Sequence, residues 1–310
     1  MSDPHLPPEL LDHTVDHLHD DPSTLKECSL VSKSWITRAR THLFAHIEFK
    51  NPKTLKSWKR TFPDPLNSPG YLTQTLSCSQ SVTDKGVGDW IKGFSRVAYL
   101  EILGHGLPAA QAKVSFTPYH GFSPTLKSLR LEFSMLPTSK IFNLILSFPL
   151  LEDLIVVTYF GASTDGGGGT GRLLTAVQPS NPPKFTGSLD LFMRGGMGPI
   201  ANRLLSLPGG INFREFTFTW FHKGDAQLIT ALVEECSHSL KSLKIACATD
   251  GMSIQPPASA PVTHLRFQSG PRQVRSTSQK RRSLKMWRSC PTAQTSNGSS
   301  RPSKPSRPIT

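Results

Sequence analysis

Three things are scarce in this 310-residue sequence: long apolar runs, paired cysteines, and acidic groups near its end. The best apolar stretch, Ile141 to Val157, is broken by Asn143, Pro149, Glu152 and Asp153, so it falls short of the roughly twenty residues that span a bilayer. Cys28, Cys78, Cys236, Cys247 and Cys290 are odd in number and scattered, which argues against a disulfide framework or a zinc module and for a reducing compartment. The first residues are acidic and proline-bearing, unlike the basic-then-apolar order of a signal peptide. The expectation is a soluble cytoplasmic or nuclear protein with no membrane partner.

The missing acidic groups change how the net charge of +13 is read. Residues 270–310 hold ten Lys/Arg and no Asp/Glu, so residues 1–269 carry only +3. A nucleic-acid partner would rest on that segment alone, which does not favour one. Its Ser, Pro, Arg and Lys composition reads as a disordered basic tail, with Lys280-Arg281-Arg282 and Lys285 as a solvated basic cluster.

Signatures of chemistry are also lacking. There is no G-x-S-x-G elbow, and no cysteine stands in a protease context. His13 and His17 have the i, i+4 spacing that can hold a metal. The Glu of H-E-x-x-H and a third ligand are missing, so they read as a solvated polar face and no metal is assigned. Gly166-Gly-Gly-Gly-Thr-Gly171 matches the glycine spacing of a phosphate-binding loop. Arg172 and Leu173, however, replace the lysine and the magnesium-binding hydroxyl, and an insertion loop is the simpler reading. The expectation is a non-enzyme with no catalytic residues and no cofactor.

What the sequence does contain begins at its N-terminus. Pro7 and Pro8 suit the first turn of a helix on which Leu10, Leu11, Thr14, Val15 and Leu18 share one arc, with Asp12, Asp16 and His19 opposite. Asp20-Asp21-Pro22 ends that helix, and Asp21 or Ser23 can cap a second, which carries Leu25, Cys28, Leu30 and Val31. A third aligns Trp35, Ile36, Ala39, Leu43 and Phe44. Three helices in about forty residues form a marginal core that needs a neighbour, and an apolar helical face of this kind suits a partner's groove.

Leu6-Pro7-Pro8-Glu9-Leu10 followed by Leu25-Lys-Glu-Cys-Ser-Leu-Val-Ser-Lys-Ser-Trp35 resembles an F-box, and most closely the F-box-like proteins expanded in mushroom-forming fungi. The resemblance implies a Skp-type adaptor as partner and, through it, a cullin-RING (SCF-type) ubiquitin ligase. It implies adaptor contacts at Leu6, Pro7, Glu9, Leu10, Leu30, Val31 and Trp35.

Beyond a Lys-, Pro-, Asn- and Ser-rich stretch at 50–70, read as a linker, a short apolar pattern recurs. It is marked by Leu76, Leu100, Leu129, Leu154, Leu189, Phe216, Leu243 and Leu265, at steps of 22 to 35 residues. Helical spacing precedes several of these strands, most clearly Leu228, Ile229, Leu232, Val233 and Cys236 before Leu240. Helix–strand units at such a period have a leucine-rich-repeat signature, without the usual Asn or Cys ladder after the strand. Phe142 to Leu154 resembles the same fungal family.

The expected fold is thus α+β to α/β: a three-helix F-box (1–49), a linker (50–70), an irregular leucine-rich-repeat-like solenoid (71–269) and a disordered basic tail (270–310). The solenoid is expected to hold an unknown protein substrate, with Glu101, Arg130, Glu132, Asp190 and Lys244 on its sheet as candidate contacts. The alternatives are an ordinary α/β domain in place of the solenoid and, for function, a repeat scaffold without any ligase role or, more remotely, a nucleotide-binding protein using the Gly166–Gly171 loop.

Overall fold

The computed structural model describes residues 7–79, 87–104, 115–134, 137–158, 183–193, 196–219, 223–247 and 264–269. Leu6, the Gly166–Gly171 run and the whole basic tail lie outside them. The described residues all belong to one compact unit.

Helices α1 (Pro8–His17), α2 (Pro22–Val31) and α3 (Lys33–Ala45) come first. Proline at the start of α1 and α2 costs nothing, because those backbone donors have no partner inside the helix. The Asp21 carboxylate caps α2 by accepting from the Ser23 and Thr24 amides at 3.1 and 3.2 Å. The Ser23 and Thr24 hydroxyls, which also donate to it, and then these amides hold its pKa down at about 2. Ser32 ends α2 in extended conformation and caps α3 through the Ser34 amide.

The remainder is a nine-stranded, all-parallel sheet whose strands lie in chain order. They are β1 (His46–Phe49), β2 (Thr75–Ser79), β3 (Tyr99–Gly104), β4 (Ser128–Phe133), β5 (Asp153–Thr158), β6 (Ser188–Met193), β7 (Glu215–Thr219), β8 (Ser242–Cys247) and β9 (His264–Ser269). Connecting helices are α4 (Pro52–Thr61), α5 (Val87–Ile91), α6 (Thr138–Ile145), α7 (Gly198–Leu205) and α8 (Ala226–Glu235), with a 3₁₀ turn, Thr117–Phe122, before β4. Parallel crossovers take one hand, so strands added always on the same side stack their helices over one face.

That face is the core. Leu76, Leu100, Leu129, Leu154, Leu189, Phe216, Leu243 and Leu265 are paired partners in one row across eight strands. From Leu76 to Leu243 the row, with Ile102, Leu131, Val156, Leu191, Phe218 and Ile245, packs against Ile141, Phe142, Ile200, Leu204, Ile229 and Leu232 of the helices. Burial alternates along β3 and β6, leaving the second face partly exposed.

The expected division into a small three-helix F-box and a leucine-rich-repeat-like solenoid is corrected by this arrangement. The chain forms an α/β structure around one continuous parallel sheet, and the sheet begins inside the segment assigned to the helices. β1 follows α3 without a turn and pairs with β2, His46 with Thr75 through Phe49 with Cys78. Within residues 50–70, α4 is closed by a capping box between Asn51 and Thr54. Phe44 of α3, Phe49 of β1, Trp58 of α4 and Phe94 join into one aromatic cluster, with ring centroids about 6 Å apart. Helices and sheet therefore share a core at this corner, and the Thr73 hydroxyl adds a bond to the Phe44 carbonyl at 2.9 Å.

Candidate functional site

The N-terminal helices keep a small apolar centre of their own: Val15, Leu25, Cys28 and Ala39, with Leu18, Trp35 and Leu43 packed around it. Asp16 does not face away from it. Its carboxylate accepts from the Arg38 guanidinium, the Nη2–Oδ2 distance being 2.6 Å, and from His42 Nε2 at 2.7 Å, which ties α1 to α3. The Arg38 bonds, then those of His42, hold the carboxyl well below the usual aspartate range. Periodicity along α1 alone places Asp16 on the polar side; the partner that recruits it comes from twenty-two residues further on.

With that centre filled, three large apolar side chains are left outside. Leu10 is 53% exposed, Leu30 86% and Val31 72%. Pro7 and Glu9 are exposed beside Leu10, whereas Trp35 is partly buried against the helical centre and stabilises the bundle from within. Of the residues expected to contact an adaptor, then, Pro7, Glu9, Leu10, Leu30 and Val31 are accessible, and Trp35 is committed to packing.

The second candidate surface is the uncovered face of the sheet. Glu101, Arg130, Ile155, Asp190, Thr217 and Lys244 are successive partners in one row, so four of the five charged residues singled out in the sequence share a single line across β3 to β8. Glu132 lies two residues further along β4 and is buried, at 2% exposure, rather than on the open surface. Arg130 spends its charge locally: Nε is 3.0 Å from Glu101 Oε1 and Nη2 is 3.0 Å from Glu132 Oε2. Among the described residues no cation pairs closely with Asp190; burial pushes its carboxyl up to about 6, against the pull of Arg130 and Lys244.

Near the N-terminal ends of β5, β6 and β7 lies an open polar cleft of about 270 Å³, lined by Asp153, Gly187, Ser188, Arg214 and Glu215 among others. The Asp153 carboxylate is already engaged there, accepting from the Ser188 amide and hydroxyl at 2.8 and 2.7 Å. Gly187 permits that contact, since a Cβ would overlap Asp153 Oδ1 and the Glu152 carbonyl. Strand order does not reverse among the described strands, and such a reversal is where open α/β sheets form their ligand crevice.

Among the described residues, no group of three or more His, Cys, Asp or Glu is placed to hold a metal. None of their helices is long and apolar enough to cross a membrane. Cys28, Cys78 and Cys236 are free and buried. Burial pushes the Cys78 and Cys236 thiols up to about 12. Neither family models, curated proteins nor solved structures provide a match to this chain.

Proposed function

We propose that the chain is a non-catalytic substrate-recognition subunit of a cullin-RING (SCF-type) ubiquitin ligase, acting in the cytoplasm or nucleus. The N-terminal helices dock on a Skp-type adaptor, and the open face of the sheet holds a protein substrate. Exposure of Leu10, Leu30 and Val31 on helices that already possess a filled centre carries the reading. Apolar side chains of this size cost free energy in water and gain it in a partner's groove.

The mechanism is proximity: holding the target beside a charged conjugating enzyme raises its effective concentration without any chemistry from this chain. A mixed-sign row, Glu101 to Lys244, suits a protein surface better than a polyanion. The decisive experiment is a pull-down of the intact chain with a purified Skp-type adaptor. Retention by the wild type and loss in the Leu30→Ala/Val31→Ala double variant support the proposal. Failure of the folded wild type to bind leaves a scaffold without ligase association.

A further inference from the structure

Helix α1 brings together two imidazoles that the proposed docking does not use. His13 Nε2 and His17 Nε2 are 3.3 Å apart, both rings are exposed, and their centroids are 4.5 Å apart with the planes inclined at 63°. Spacing of i, i+4 puts the two on one helical face, and here the nitrogens lie within hydrogen-bond distance of each other. Two Zn–N bonds of about 2.05 Å spanning this distance meet at about 107°, near the tetrahedral angle.

We infer that His13 and His17 chelate a zinc ion. Imidazole nitrogen suits zinc, copper and nickel, and does not suit magnesium or calcium, which require oxygen ligands. Two protein ligands leave two coordination positions for water or for a ligand from outside, because no third described group joins the pair. Two neighbouring histidines are occupied elsewhere: His19 donates to the Asp16 carbonyl at 2.8 Å, and His42 binds the Asp16 carboxylate. Leu10, His13 and His17 fall within about 60° of arc on α1, so the ion adds positive charge beside the exposed Leu10. Stripped of metal, the pair is a single N–H···N contact that requires one ring to donate and the other to accept.

The test is a zinc titration of the full chain in competition with a chromogenic zinc indicator, repeated with magnesium. The wild type should bind one zinc that both His13→Ala and His17→Ala bind about a hundredfold more weakly, the loss expected when an intramolecular second ligand is removed. His19→Ala should retain it, and magnesium should not compete. Ring-nitrogen NMR shifts of His13 and His17 on zinc addition identify the ligands directly, and far-UV circular dichroism confirms that the variants are folded. Equal zinc affinity in the wild type and the folded His13→Ala variant, or unmoved His13 and His17 signals, overturns the assignment.

Discussion

Replacing Asp190 by Asn should flatten one section of the protein's pH–stability profile. Asp190 sits between Ile155 and Thr217 in the charged row, and its carboxyl is raised to about 6 chiefly by burial. In the unfolded chain an aspartate titrates near 3.9. Between roughly pH 4 and 6 the native state therefore holds a proton that the unfolded state has released, so stability falls as pH rises through that window. The difference between about 3.9 and about 6 is worth about 2–3 kcal/mol of stability, fully present below pH 4 and fully lost above pH 6. The Asn variant keeps the shape and cannot ionise. Urea unfolding at half-unit steps from pH 4 to 8 measures the difference. Wild type and variant should be nearly equal at pH 4, and the variant more stable by about 2–3 kcal/mol at pH 7. Parallel profiles, or a variant that is less stable at pH 7, would mean that Asp190 is held as an ion by Arg130 or Lys244 and would refute the reasoning.

Further outcomes follow from the same contacts. Truncating Leu30 and Val31 to Ala should leave unfolding free energy within about 0.5 kcal/mol, since both are exposed. The same double variant should weaken adaptor affinity by about 2–4 kcal/mol, roughly 30- to 800-fold in Kd by calorimetric titration. Leu25→Ala, inside the helical centre, should cost about 2–5 kcal/mol of stability in denaturant. Asp16→Asn should cost about 1 kcal/mol, a partly exposed tie between α1 and α3. In the wild type that contribution is present above about pH 4 and lost as acid protonates the carboxylate below it, which urea titrations at pH 2 to 5 can follow. Cys78 and Cys236 should resist iodoacetamide until the chain unfolds, as peptide mapping by mass spectrometry would show.

Much of the strand layout was legible because each strand repeats the same alternation. Leu100, Leu129 and Leu154 are apolar at a fixed offset from Ile102, Leu131 and Val156, and such pairs must share a face whatever surrounds them. β1 was not legible: His46-Ile-Glu-Phe49 is four residues long and follows α3 with no Gly or Pro between them. Missing it separated the helices from the sheet. Composition also concealed α4 among lysines, although Asn51-Pro-Lys-Thr54 is a start signal in itself.

At the candidate sites, residue type was readable and commitment was not. Leu30 and Trp35 look equally apolar in the sequence. One is left in solvent and the other packs against the helical centre. Glu132 alternates with apolar neighbours as a surface residue would, yet it is buried with Arg130 as its counter-ion. The Asp16–Arg38 pair joins two separate helices, so no local window contains both partners.

Carbene footprinting of the intact chain, with and without a purified Skp-type adaptor, tests the central claim most directly because it reports side-chain exposure residue by residue. Labelling at Leu10, Leu30 and Val31 should fall on complex formation, while the exposed Leu66 and Tyr71 remain labelled. Unchanged labelling of the three helical residues, with the adaptor present and the chain folded, would contradict it.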